Sequence, residues 1–158
     1  MYATREAVLQ ELDQPVRDRW WLRELLRDVW GQYFRDTPRV NLVRISYGAP
    51  WKTRLGSITL SDDHRTSYIQ VNDLLRLLEV PEYVTTVTIA HEMVHYAHGF
   101  GSPLPRRYKH PHRGGIVKRE LLRRGMGTEY ARYDEWVYDH WYDFYDGRVN
   151  QEDRPTSA

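Results

Sequence analysis

The chain contains no cysteine, which excludes disulfides, thiolate nucleophiles and every zinc ribbon or finger built on Cys. Any metal chemistry must rest on His and carboxylates. Long apolar runs are missing as well: no stretch approaches the roughly 18 to 20 residues of a membrane span. The opening MYATREAVLQ lacks the apolar core of a signal peptide. These absences predict a soluble, cytoplasmic protein with no membrane partner. The formal net charge is only +1, so no global polyanion-binding signature exists.

The 158 residues are enough for one domain with its own hydrophobic core. That domain is expected over residues 1–146, with a polar, disordered tail at 147–158. Six Trp and twelve Tyr make an aromatic core and an aromatic substrate groove the natural expectation. Charge is unevenly spread. Residues 106–124 hold eight Lys and Arg against Glu120, while residues 129–146 hold six acids against Arg132. Such blocks lie on solvated faces or attract one another, and the basic one is also a candidate for weak nucleic-acid contact.

Residues 16–34 repeat Trp20, Trp21, Leu25, Leu26, Val29, Trp30 and Tyr33 at helical spacing, which predicts a helix with a heavy aromatic face begun near Pro15. A shorter helix is expected at 5–12. Three short β-like runs follow, at 43–47, 55–60 and 67–71, the last two separated by Ser61-Asp62-Asp63-His64. Close spacing suggests an antiparallel meander. A helical turn at 72–78 and a helix from Pro81 to a stop at Gly99 come next. Residues 99–115, with four Gly and three Pro, read as loop, 116–124 as helix, and 129–145 as a last, aromatic helix.

The segment His91-Glu92-Met93-Val94-His95 has the spacing H-E-x-x-H. On a helix, residues four apart share a face, so His91 and His95 can bind one zinc ion while Glu92 serves as general base. The surrounding residues Val84, Val87, Ile89, Ala90, Val94 and Ala97 are apolar, and burying two His and a Glu among them is costly unless they are paired or metal-bound. A catalytic zinc takes three protein ligands. Residue spacing alone leaves His98, His110, His112, Glu120, Glu129 and Glu135 open for the third. His64 reads as a solvated surface residue and His140 as a hydrogen-bonded core residue. Tyr96, Tyr108 and Tyr138 are candidate donors to an oxyanion.

Beyond the motif, Pro111-His112-Arg113-Gly114-Gly115-Ile116-Val117-Lys118, running on to Leu121, Leu122 and Gly125, resembles the SprT-like zinc metallopeptidases, as do Arg54-Leu55-Gly56-Ser57-Ile58 and Tyr68-Ile69-Gln70-Val71-Asn72. The resemblance spans residues 43–125, with Arg113 where that family often has Gly and Ile116 where it has a bulky aromatic. It implies His112 as third ligand and an α+β, zincin-like domain: a small, mainly antiparallel sheet, an active-site helix and C-terminal helices. It also implies metal-assisted hydrolysis of a protein or peptide substrate, with Glu92 as base. Two other readings survive on sequence. One is a binding module with a structural or vestigial metal and a basic surface at 106–124, against which Glu92 argues. The other is a hydrolase acting on a small amide.

Overall fold

In the computed structural model, which describes residues 16–152, the chain is a mixed α and β structure. The Asp18 carboxylate accepts from the Trp21 N–H at 2.9 Å and so caps helix α1, Arg19–Tyr33. Its buried stripe is Leu22, Leu25, Leu26 and Val29, the spacing of one helical face. The expected aromatic face is therefore aliphatic. Trp20 is 67% exposed and Trp21, Trp30 and Tyr33 are only partly buried, because an indole at the margin keeps its N–H within reach of a partner. Trp30 Nε1 accordingly donates to the Thr37 carbonyl. The helix expected at 5–12 and Pro15 lie outside the described residues.

Strands β1 (Leu42–Tyr47), β2 (Gly56–Leu60) and β3 (Thr66–Val71) form one sheet in the order β1-β3-β2. β2 and β3 are an antiparallel hairpin, with Gly56 opposite Val71 and Leu60 opposite Ser67. The hairpin turn is held by Asp63, whose carboxylate accepts from the Ser61 hydroxyl and the Arg65 N–H. β1, by contrast, runs parallel to β3, from Leu42 opposite Thr66 to Tyr47 opposite Val71. The sheet is mixed, and the antiparallel meander is corrected. Residues 48–55 are long enough to carry the chain across the sheet end, so β1 lies beside β3 rather than beside its neighbour in sequence.

That crossing loop is pinned at two points. The fully buried Asn72 donates to the carbonyls of Trp51 and Arg54 at 2.7 and 2.9 Å, while its own oxygen caps the 3₁₀ turn Asp73–Arg76 through the Leu74 N–H. Trp141 Nε1 donates to the Lys52 carbonyl at 2.7 Å.

Helix α2, Glu82–Ala97, packs against α1, β2, β3 and the two helices that follow it. It ends in a Schellman turn: the Phe100 N–H donates to the His95 carbonyl and the Gly99 N–H to the Tyr96 carbonyl, with Gly99 at φ +75°. Helix α3, Ile116–Arg123, and α4, Gly127–Trp136, follow. A π turn, Val137–Trp141, then joins α4 to α5, Tyr142–Glu152. The final helical rod thus passes through the expected start of the polar tail at 147, and residues 153–158 lie outside the described residues. No helix among the described residues is long and apolar enough to cross a membrane.

A Cβ at Gly99 would sit 2.3 Å from the Pro105 carbonyl oxygen, whereas one at Gly114, φ +67°, meets nothing within 4 Å. Both positions share the left-handed backbone, worth about 1 kcal/mol against Ala. Only the first adds a clash. Gly99→Ala is expected to destabilise by on the order of 3 kcal/mol and Gly114→Ala by about 1, as read from urea denaturation; equal costs would show that the Gly99 turn is not tightly packed.

Candidate functional site

α2 is apolar on nearly all sides, with Val84, Val87, Ile89, Ala90, Met93 and Val94 in the core. One turn of it carries the H-E-x-x-H residues onto the floor of a cleft of about 530 Å³. The walls come from three directions: Arg54 and Gly56 at the start of β2, Phe100 and His112 in the loop after α2, and Tyr133, Val137 and Trp141 on the last helical rod.

His91 Nε2 and His95 Nε2 face each other at 3.2 Å. Two nitrogens bound to one tetrahedral zinc ion at about 2.0–2.1 Å stand roughly 3.3 Å apart, so the pair has the spacing of two ligands; the same distance suits an N–H···N hydrogen bond in one tautomer. His112 stands against the pair, its ring centroid 4.5 Å from that of His95. Phe100 packs on both His95 and His112, at 5.3 Å from each, and it arrives there through the Schellman turn. No three His, Asp or Glu side chains among the described residues are arranged as a complete ligand set. The donor chemistry of His91 and His95 fits zinc, and the structure gathers the third imidazole beside them without aiming it.

The other candidates are elsewhere. His110 is exposed and does not line the cleft. Glu120 is held by Arg123 and Arg124, Glu129 lies beside Tyr33, and Glu135 lines a separate surface groove. His98 is buried behind the site against Tyr108, at 5.0 Å. His64 is exposed, as expected. His140, in the π turn, is exposed too, which corrects its assignment to the core; its ring makes a tilted contact with Trp136 at 6.0 Å.

Among the tyrosines, Tyr96 is structural: its hydroxyl donates to Asn41 Oδ1 and accepts from the Val40 N–H. Tyr138 is 89% exposed. Two tyrosines line the cleft, Tyr133, partly buried, and Tyr142, 51% exposed; neither is among the three candidates drawn from the sequence. Half of the basic stretch, Arg106, Arg119, Arg123 and Arg124, is engaged in side-chain hydrogen bonds. Arg106 and Arg119 donate to loop carbonyls, and Arg124 reaches the Tyr33 carbonyl and Asp36.

Burial governs the protonation of the site. It lowers the imidazole pKa of His91 to about 4, with His112 adding to the effect, and that of His95 to about 3, with His91, His112 and His98 adding. Both are neutral, the form that binds metal. Burial also lifts the Glu92 carboxyl from the ordinary 4.5 to about 8, opposed by Arg54. Gly56 sets how near β2 comes, since a Cβ there would lie 3.1 Å from Glu92 Oε1 and 2.8 Å from the Thr88 methyl.

No family model, curated protein or solved structure matches the chain. The site must be read from its own chemistry.

A carboxyl whose folded pKa is raised contributes stability that is present below its unfolded pKa and is lost as pH rises through the folded value. Glu92→Gln cannot ionise. In chelator-treated protein the substitution is expected to stabilise increasingly from pH 5 to pH 8, reaching on the order of 1 to 3 kcal/mol. Thermal melts across that range test this; a pH-independent difference would mean that the carboxyl is already ionised.

Proposed function

We propose that the chain is a zinc-dependent metallopeptidase of the SprT-like, zincin type, acting on protein or peptide substrates. The observation that carries this reading is the pair of neutral imidazoles with nitrogens 3.2 Å apart next to a buried carboxyl with almost no other role. His91 and His95 would hold the ion, with His112 as the third ligand. When bound, zinc supplies Lewis acidity and a positive charge that favours the ionised form of nearby acids.

Glu92 then takes a proton from the water that adds to the scissile carbonyl. As the C–N bond breaks, the same carboxyl delivers that proton to the leaving amine. Tyr133 is the wall's neutral hydrogen-bond donor: burial, with Tyr130 and Glu92 adding, holds its hydroxyl well above the ordinary phenol range. A phenol that stays protonated can donate to the oxygen on which negative charge develops. Phe100, Val137 and Trp141 give the cleft apolar walls, which suits an apolar side chain of the substrate and excludes bulk water.

Metal analysis of purified protein is expected to give about one zinc per chain, lost in His112→Ala and retained in His110→Ala. The reverse pattern would reassign the third ligand. Glu92→Gln should keep the metal and lower hydrolysis of a casein-type substrate by on the order of 10² to 10⁴; wild-type cleavage by this variant would sink the proposed role. Tyr133→Phe should lower kcat by on the order of 10² while changing KM little, and an unchanged kcat would remove Tyr133 from the reaction.

A further inference from the structure

Among the residues that line the His91 cleft, Arg54 is the only Lys or Arg and Glu92 the only acid. An arginine stays charged across the whole working range of pH, whereas burial keeps the Glu92 carboxyl protonated up to about 8. The cleft thus carries a positive charge that its own lining does not balance. Arg54 favours the ionised form of Glu92 through space, yet neither Glu92 nor any other carboxylate among the described residues lies within ion-pair distance of its guanidinium. The neighbouring cation, Lys52, is already paired with Asp146 at 3.9 Å. A bound zinc ion would add to the positive field rather than cancel it.

Both ends of the turn that presents Arg54 are fixed, since the carbonyls of Trp51 and Arg54 accept from the Asn72 side chain at 2.7 and 2.9 Å respectively. Trp51 also packs so closely on Gly48 that a Cβ there would overlap its ring. Over this fixed indole lies the Arg54 guanidinium, its Cζ 5.4 Å from the ring centroid. Stacking of this kind uses the face of the group. Its N–H donors lie in the plane and stay open, and a carboxylate can take two of them side by side.

The place of Arg54 along the cleft follows from Gly56, two residues on, where a Cβ would lie 3.1 Å from Glu92 Oε1. An extended chain covers about 3.3 Å per residue, so a substrate whose reacting carbonyl stands at Glu92 brings the side chain about two residues away within reach of Arg54. We propose that Arg54 selects a substrate carboxylate at that distance from the cleaved bond, supplied by an internal Asp or Glu or by the C-terminus of the chain being cut. This rests on the reading of the cleft as a peptidase site. A residue that only tuned Glu92 would change the rate on every peptide alike, whereas one that reads a carboxylate changes the ratio between peptides.

The test uses the full, zinc-loaded chain as Glu92→Gln, which leaves peptides uncleaved, and follows binding by anisotropy. The fluorescein-labelled peptides share one apolar sequence and an amidated C-terminus, with Glu, Gln or Lys at the second position on both sides of the central bond. A further peptide keeps Gln and ends two residues past that bond in a free carboxylate. At low salt a carboxylate is expected to tighten binding about tenfold or more over the amidated Gln peptide, with the gap closing as screening increases and the Lys peptide weakest. A gain with Glu assigns an internal acid, a gain with the free carboxylate assigns a chain end, and either supports the proposal. In the same background Arg54→Gln should abolish the gap and Arg54→Glu should place Lys ahead of Glu; the side chain is exposed, and thermal melts check that both variants fold. No gain from either carboxylate, no binding of any peptide, or a gain that survives Arg54→Gln, which would put the carboxylate on the metal, overturns the proposal. Cleavage by the chain with Glu92 intact is read separately. Cleavage without a preference sinks this inference alone, and a preference in a protein that cleaves none of the peptides sinks the peptidase reading alone.

Discussion

The arrangement depends on one constraint: α2 buries Glu92 and His95, with the half-buried His91 beside them, within a single turn of a helix whose other faces are apolar core. Glu92 is 5% exposed and His95 1%. Groups so far from water cannot all be charged without partners, and the pKa directions follow from that alone. The imidazoles give up their protons and the carboxyl keeps one. The helix is therefore poised for a positive charge from outside, which at neutral pH would ionise Glu92 while leaving both imidazoles neutral.

The remaining parts of the site are brought to this turn by contacts that look purely structural. Asn72 and Trp141 fasten the 51–54 loop, and with it Arg54 and the entry to β2. Gly56 lets the strand lie against Glu92. The Schellman turn sends the chain back over His95 as Phe100, and the rest of the loop is held by Ser67 on the Gly101 carbonyl and by the Arg107 N–H on the His98 carbonyl. His112 thus stands against the pair at the end of a secured path.

The helices at 19–33, 82–97 and 116–123, the strand positions and the central motif were legible in the sequence because each has a local period or a fixed spacing. The order of the strands was not. A half-buried strand alternates with period two whether its neighbour runs parallel or antiparallel, so residues 43–47 carry no mark of lying beside 66–71. Aromatic content misled at α1, where Leu22, Leu25, Leu26 and Val29 take the core and the indoles take the margin. The particular roles of Tyr133 and Asn72 were not legible: one is a tyrosine among twelve, in an aromatic helix that reads first as core, and the other, though part of a resembling segment, acts through backbone carbonyls far away in sequence. His140, misread as core, lies where the helix is not regular.

That irregularity has a consequence of its own. In an unbroken α-helix, residues eight apart are rotated by about 80°, and Tyr133 and Trp141 would stand at the two margins of one face. The π turn at Val137–Trp141 takes up the difference, so both rings and Val137 line the same wall. The shape of that wall is a matter of chain length as much as of side-chain identity. The π turn takes up one extra residue: losing it would restore a regular helix with Tyr133 and Trp141 seven apart, about 20° from alignment, and leave Trp141 facing the cleft and the Lys52 carbonyl. A residue added or removed in the regular turns of α4 instead would rotate what lies beyond by about 100°, a route by which the cleft could be reshaped with every residue on its floor unchanged.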